Sequence, residues 1–203
     1  MHPIPSHISK LYLLVFILAV ATFIAPRGAR AQEGVLTSTY CTLYYSDQAQ
    51  LDEFSSKIHG GAFLRKFDQI LVGRVGMSNE SDLAQYLDQL FKRVQLVLAM
   101  PLPGVRVEIR IHRSQEGVER TFAQLTGRST NAPAFYWYRT NTIHIQTGYL
   151  TVGMLGHEMG HCILDHYFAI QPPVKIAEML CHYVDRQLSS GTDTGGLITS
   201  KDY

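Results

Sequence analysis

The 203-residue chain predicts an α+β fold, with a small mixed sheet and several helices in one domain. Two hydrophobic patterns alternate from residue 39 to residue 190. Short runs with a period of two are typical of strands, and longer runs with a period near 3.6 are typical of helices. A chain of this length, with 46% hydrophobic residues, can bury one core and is too short for two large ones. We therefore expect a single domain over residues 32–190.

Four segments have the pattern or composition of strands. The alternation is clearest in residues 105–112, and β-branched and aromatic residues dominate the first segment. The last two segments form a predicted hairpin whose turn is Thr140-Asn141. In the final strand His144 alternates with Ile143 and Ile145, so we expect His144 to face solvent. The predicted strands are residues 39–45, 105–112, 134–139 and 142–146.

The helices are predicted from capping residues and from the prolines that stop them. A loop at residues 59–61 separates the first helix from a weaker segment that ends near Gly76. The predicted helices begin at the caps Asp47, Ser78 or Asn79, and Ser114, and two more cover about residues 150–168 and the residues that follow Pro173.

The N-terminal segment has the composition of an export signal. Leu11 to Ala25 is a run of 15 apolar or small residues, preceded by Lys10 and followed by Ala29-Arg30-Ala31. We expect residues 1–31 to be a signal peptide cleaved after Ala31, which places the mature protein in the periplasm or outside the cell. Arginines beyond the run leave an uncleaved membrane anchor as the alternative. At the other end, residues 191–203 are predicted to form a flexible tail.

The charge balance argues against nucleic acid as a partner. Removal of residues 1–31 takes away Lys10, Arg27 and Arg30 and leaves 15 basic and 17 acidic side chains, a net charge of −2. Without a basic surface there is no electrostatic basis for binding nucleic acid or an anionic membrane. Membrane association is expected only if the N-terminal segment is retained.

The sequence His157-Glu158-Met159-Gly160-His161 carries the strongest chemical signal. With nine histidines and eight glutamates in the chain, only about 0.015 such matches are expected by chance. On a helix, residues four apart share one face, so both imidazoles can bind one metal ion. Glu158 then lies beside the ion, where a general base can take a proton from a water that Zn²⁺ activates. The alternative to a metal site is a pair of hydrogen-bonded histidines in the core, on an ordinary buried helix.

A catalytic zinc ion needs a third protein ligand, and three residues compete for that role. Asp165 shares the ligand face but lies a turn beyond His161, which suits a supporting role or a solvated carboxylate. Glu178 follows the proline pair and lies beside an apolar stripe on the next predicted helix. Because a carboxylate at the edge of a buried stripe needs a partner, we favour Glu178. His182 lies on the same helix face as Glu178, and we favour His182 as a hydrogen-bond donor to the transition state.

The segment that begins at Glu178 carries a resemblance to a known family. A helical HExxH followed by a glutamate on the next helix resembles the gluzincin metallopeptidases, and the bacterial peptidase MA-like branch in particular. That branch often reads E-G-x-A-x-Y-V here, which this chain matches at Glu178, Tyr183 and Val184, with Met179 in place of the glycine.

The resemblance implies a zincin-like fold and one Zn²⁺ per chain held by His157, His161 and Glu178. Glu158 is then the general base, and Tyr183 can hydrogen-bond the developing oxyanion. The implied substrate is a peptide or protein that adds to the strand at residues 142–146, the upper edge of the cleft. The alternative is a non-catalytic metal-binding or inactive zincin-fold protein, which a closed site including His182 would favour.

Three cysteines allow at most one disulfide in an oxidising compartment. Cys162 follows a predicted ligand, and Cys181 lies three residues after Glu178, so the two helices could bring them together. The alternative is that they are small apolar residues of the core, a common role of unpaired cysteines.

Overall fold

A five-stranded mixed sheet is the centre of the fold in the computed structural model, which describes residues 33–59 and 80–190. The strand order is β1-β2-β3-β5-β4. The two inner pairings, β2 with β3 and β3 with β5, are parallel, and the outer pairings are antiparallel. The strands are β1 (Gly34–Thr37), β2 (Cys41–Tyr45), β3 (Val107–His112), β4 (Ala134–Trp137) and β5 (Thr142–Gln146).

The described residues also form five α-helices and a short 3-10 helix at Thr147–Tyr149. Together with the sheet, these helices confirm the predicted α+β class and mixed sheet. They are α1 (Gln48–His59), α2 (Glu80–Leu98), α3 (Gln115–Thr126), α4 (Val152–Tyr167) and α5 (Val174–Ser189). In this part of the chain, no helix combines the length and apolar character that crossing a membrane requires.

Several predictions concern residues outside the described ranges. They are the signal peptide or anchor at residues 1–31, the segment ending near Gly76, the caps Ser78 and Asn79, and the tail at residues 191–203.

The predicted elements match the structure with shifted ends. The α1 cap is confirmed, because the Asp47 carboxylate accepts a hydrogen bond from the Gln50 N–H at 2.9 Å. The third strand begins at Val107 and not at residue 105, and β4 ends at Trp137. The sequence pattern did not predict β1, the first strand among the described residues. Its sequence, Gly-Val-Leu-Thr, shows no hydrophobic alternation, and only Leu36 is buried.

The resemblance implied that a peptide adds to the strand at residues 142–146, which requires an edge strand, and the sheet order contradicts this. β5 lies between β3 and β4, and the edge strand on this side is β4. The order follows from the connections: a tight turn places β4 antiparallel beside β5, while the longer crossover through α3 brings β5 parallel to β3.

His144 is buried, so its predicted exposure is also wrong. It does point away from Ile143 and Ile145, but that face of the sheet is covered. Phe135 stacks on the His144 ring at 4.8 Å, and Phe122 of α3 packs edge-on against Phe135. Alternation predicted the face correctly and could not reveal that α3 forms a second layer over it.

The buried face of α5 differs from the predicted apolar stripe. The sequence predicts an apolar stripe on this helix, made of Ile176, Met179, Leu180, Tyr183, Val184 and Leu188. Val184 and Leu188 are buried as predicted, but Ile176, Met179 and Tyr183 are 44%, 59% and 41% exposed. Cys181 completes the buried face, which packs on α4.

Three glycines on α4 permit this close crossing. A Cβ atom on Gly153 would lie 2.0 Å from Asp185 Oδ1, and one on Gly156 would lie 2.1 Å from Leu188 Cδ1. At Gly160 the Cys181 sulfur would be 3.1 Å away. These glycines, spaced three and four apart, lie on one face of the helix. The face therefore lets α5 approach closer than larger side chains would allow.

We predict that His144 makes the fold acid-sensitive. Burial, with help from His112 and Arg110, lowers its pKa from 6.5 to about 4. Between these two values the unfolded chain binds a proton that the folded chain does not, so stability falls as pH falls from 6.5 to 4. His144→Phe should lose less unfolding free energy than the wild type between pH 7 and pH 5. Urea titrations at both pH values test this, and equal losses in the two proteins would contradict it.

Candidate metal centre

The two motif histidines lie side by side on α4. Thr151 begins this helix, and its hydroxyl accepts the Met154 N–H at 3.1 Å. One turn of helix separates His157 from His161, and their Nε2 atoms are 3.2 Å apart. Burial lowers the pKa of both imidazoles, that of His161 to about 4. Both rings are therefore neutral at pH 7, the form that binds a metal ion.

The Glu178 carboxylate meets both imidazoles from α5. Its Oε2 atom lies 3.5 Å from His157 Nε2, and its Oε1 atom lies 3.4 Å from His161 Nε2. Pro173 immediately precedes α5, so Glu178 lies one turn into that helix. The α4–α5 crossing thus brings Glu178 to His157, which lies 21 residues earlier in the sequence, and to His161.

Cys181 is a fourth potential donor that the sequence reasoning did not assign to a metal. His157, His161 and Cys181 form a group that could hold a metal ion, with their ligand atoms within 4.8 Å of one another. Cys181 is completely buried, and burial together with Glu158 and Glu178 raises the pKa of its thiol far above the usual range. Helical spacing is the sequence signal that could have identified Cys181 as a donor, because residues 178 and 181 lie three apart and share a face of the helix.

The disulfide between Cys162 and Cys181 does not form in the structure, where all three cysteines are free thiols. Each has a different neighbour. The Cys162 thiol donates to Asn141 Oδ1 at 3.1 Å, and Cys181 packs against Gly160. Both thiols are buried, as the alternative prediction of small core residues requires.

Glu158 is buried beneath the edge strand. Its side chain is directed away from solvent, and its carboxylate accepts a hydrogen bond from the backbone N–H of Tyr136 in β4. Burial and the nearby Glu178 charge raise the pKa of Glu158 to about 8, against the lowering effect of this hydrogen bond. A divalent cation beside the two carboxylates would act in the opposite direction, because it favours their charged forms.

The orientation of His157 is fixed from α5. One ring nitrogen hydrogen-bonds the Cys181 carbonyl, and since Nε2 faces His161 and Glu178, the donor is Nδ1. A metal-binding histidine commonly donates its second nitrogen to a carbonyl in this way, which fixes the tautomer and leaves Nε2 as the ligand atom.

His182 and Tyr183 occupy different positions relative to the histidine pair. The His182 ring is edge-on to His157, with 4.8 Å between the ring centroids, and is exposed to solvent. Tyr183 lies about 140° around α5 from Glu178, where it lines a surface pocket with Arg186, Gln187, Ser189 and Ser190. Of the two predicted transition-state donors, the structure brings only His182 next to the histidine pair.

The other candidates around the motif have structural partners. Asp165 accepts a hydrogen bond from the Tyr136 hydroxyl at 3.1 Å, so it supports the edge strand. His166 lies in the last turn of α4, with its Nδ1 atom 2.9 Å from the Cys162 carbonyl oxygen.

No family model matches this chain, and no curated protein and no solved structure gives a match.

We predict that the α4–α5 crossing is sensitive to a single methyl group. Gly156→Ala places a Cβ 2.1 Å from the fully buried Leu188 Cδ1, and overpacking of this kind costs about 1–3 kcal/mol. The better helix propensity of alanine returns about 1 kcal/mol. We expect a net destabilisation of up to about 2 kcal/mol in urea unfolding. The control is Gly148→Ala, at an exposed position where the new Cβ meets only the side-chain amide of Gln146. Equal stability of the two variants would contradict the role of Gly156.

Proposed function

We propose that this protein is a zinc-dependent metallopeptidase of the gluzincin type. The observation that carries the proposal is a set of three distances: His157 Nε2 lies 3.2 Å from His161 Nε2 and 3.5 Å from Glu178 Oε2, and His161 Nε2 lies 3.4 Å from Glu178 Oε1. Donors held about 2.0–2.2 Å from one tetrahedral ion lie about 3.3–3.6 Å from each other. The three side chains thus have the separation that a shared Zn²⁺ requires.

Glu178 is a better third ligand than Cys181. Both Glu178 oxygens lie close to the imidazoles, and the carboxylate is half-exposed. The Cys181 thiol is held protonated by burial and by two carboxylates, and it packs into the helix crossing at Gly160. Two histidines and a glutamate leave a fourth position open, as in catalytic zinc sites.

Each residue around the ion has a definite task in peptide hydrolysis. A bound Zn²⁺ supplies Lewis acidity at the substrate carbonyl and lowers the pKa of water to about 7. Glu158 takes the proton from the attacking water and returns it to the leaving amine. Its position beneath β4 excludes bulk solvent from that carboxylate. His182, exposed beside His157, can donate a hydrogen bond to the developing oxyanion.

A peptide is the substrate class that the edge strand favours. Among the described residues, β4 pairs only with β5, so its other side is open to an extended peptide that adds as a strand. Tyr136, in the middle of β4, also contacts Glu158 through its backbone. A peptide bound along β4 would therefore pass directly over the proposed base. The signal-like segment at residues 1–31 suggests that these substrates are met after export.

The alternative is a non-catalytic metal site, and Cys181 is the observation that favours it. If the thiol lost its proton to a bound ion, two histidines, Glu178 and Cys181 would close the site with four protein ligands, as in structural zinc sites. In such a site Glu158 would have no substrate water to deprotonate.

The first test of the proposal is the removal of the base. Glu158→Gln keeps the volume of the side chain and should leave the zinc content at one per chain. We expect kcat for a peptide found by library digestion to fall about 10²–10⁴-fold. A chelator should abolish cleavage by the wild type, and added zinc should restore it. Unchanged kcat in Glu158→Gln would remove this residue from the mechanism.

The second test separates the two candidates for the third ligand. Glu178→Ala should weaken zinc binding by more than about 100-fold, measured by competition with a chromophoric chelator. Cys181→Ala is the matched control from the same helix and should keep the zinc affinity within about threefold. The opposite ranking would support the closed site and the non-catalytic function.

A further inference from the structure

The Tyr136 side chain ties the edge strand to the helix that carries the two histidines. Its hydroxyl lies 3.1 Å from Asp165 Oδ2 and 2.9 Å from Asn141 Oδ1. Most of the side chain is buried, which raises the pKa of the phenol and keeps it protonated. A neutral phenol in this position is a hydrogen-bond donor to the Asp165 carboxylate.

One partner of the hydroxyl lies on α4, and the other contacts that helix through Cys162. Asp165 lies one turn beyond His161 on the same helix, so it has a fixed position relative to the histidine pair. Asn141 is in the left-handed conformation, with φ of 53°, at the end of the hairpin turn. Its Oδ1 atom also accepts the Cys162 thiol, and its amide donates to the Arg106 carbonyl.

Tyr136 therefore contacts α4 at two points. Its backbone N–H binds the Glu158 carboxylate, and its hydroxyl binds Asp165, seven residues or about 10 Å further along the helix. Residues seven apart lie on one face of a helix, so both contacts are directed toward the edge strand. An edge strand paired on one side only could shift over α4 if the hydroxyl contact were lost.

We propose that Tyr136 is a positioning residue whose hydroxyl, held by Asp165, fixes the edge strand over α4 so that the backbone N–H orients the Glu158 carboxylate. This inference depends on the proposed function only for the expected effect of Tyr136 on kcat. The fixed position of the strand is a property of the fold and can be measured without turnover. Tyr136 acts through Glu158 and does not itself exchange a proton.

The key variant is Tyr136→Phe, which removes one oxygen atom and keeps the ring. We expect kcat to fall about 10–100-fold, because a shift of about 1 Å in a catalytic group has an effect of this size. KM should change less than about threefold, because the peptide pairs with the strand itself. Zinc content should remain at one per chain. The matched control is Tyr44→Phe, which removes a hydroxyl 3.4 Å from the Glu108 carboxylate, on the other side of β3 from the hairpin.

Asp165 provides the second set of variants. Asp165→Asn keeps an oxygen that can accept a hydrogen bond from the phenol, so kcat should stay within about threefold of the wild-type value. Asp165→Ala should resemble Tyr136→Phe, and the double variant should be no worse than either single one, because both remove the same contact. Additive losses would show that the two residues act separately and would overturn the proposal.

Amide exchange gives a readout that does not depend on catalysis. By NMR on the zinc-loaded full chain, the Tyr136 amide should exchange at least tenfold faster in Tyr136→Phe and Asp165→Ala than in Asp165→Asn or Tyr44→Phe. A fall in kcat with unchanged exchange, or unchanged values of both, would overturn the positioning role. If the wild type cleaves no peptide, the proposed function fails, and the exchange rates alone decide the role of Tyr136.

Discussion

The close crossing of α4 and α5 is the constraint on which the site depends. The α5 helix can reach the motif histidines only because Gly153, Gly156 and Gly160 present a face without side chains. Cys181 and Leu188 fill that face, and this packing sets the rotation of α5. The rotation in turn directs the Glu178 carboxylate toward both imidazoles. The glycines therefore help to position Glu178 beside the histidines, although they supply no ligand side chain.

The electrostatics of the centre explain why it is suited to a cation. Glu158 and Glu178 lie near each other and near two neutral imidazoles, with the Glu158 carboxylate and the Cys181 thiol buried. No positive charge appears among the groups that determine the Glu158 pKa, so burial and repulsion raise it. A divalent ion would reverse this balance, because it stabilises both carboxylates and replaces the water that burial removes. Such an arrangement is costly without a ligand and favourable with one.

The edge strand connects the fold to the proposed chemistry. Its Tyr136 N–H holds Glu158, while the outer side of the same strand is open among the described residues. One short strand thus supports the proposed base and offers hydrogen bonds to an extended peptide. The strand order that gives β4 this position depends on the crossover through α3, which lies on the opposite face of the sheet. The second layer that buries His144 is thus part of the same topology.

Local pattern predicted the elements and the motif, because both depend on residues within a few turns of each other. The spacing of His157 and His161 requires only a helix, and the alternation in β3 requires only a sheet. The faces of α5 could not be predicted in the same way. Ile176, Met179 and Tyr183 are as apolar as the buried set, and hydrophobicity does not distinguish two apolar stripes on one helix.

The sequence by itself determined the α+β class, the helix that carries the two histidines and the position of Glu158 between them, since these follow from periodicity and local chemistry. Only the tertiary structure decided which residues of α5 approach the histidines, that β4 and not β5 is the edge, and that Cys181 lies beside the two histidines. The physical reason is that these choices depend on steric fit between elements distant in sequence. A glycine face or a covering helix acts only after the chain has folded.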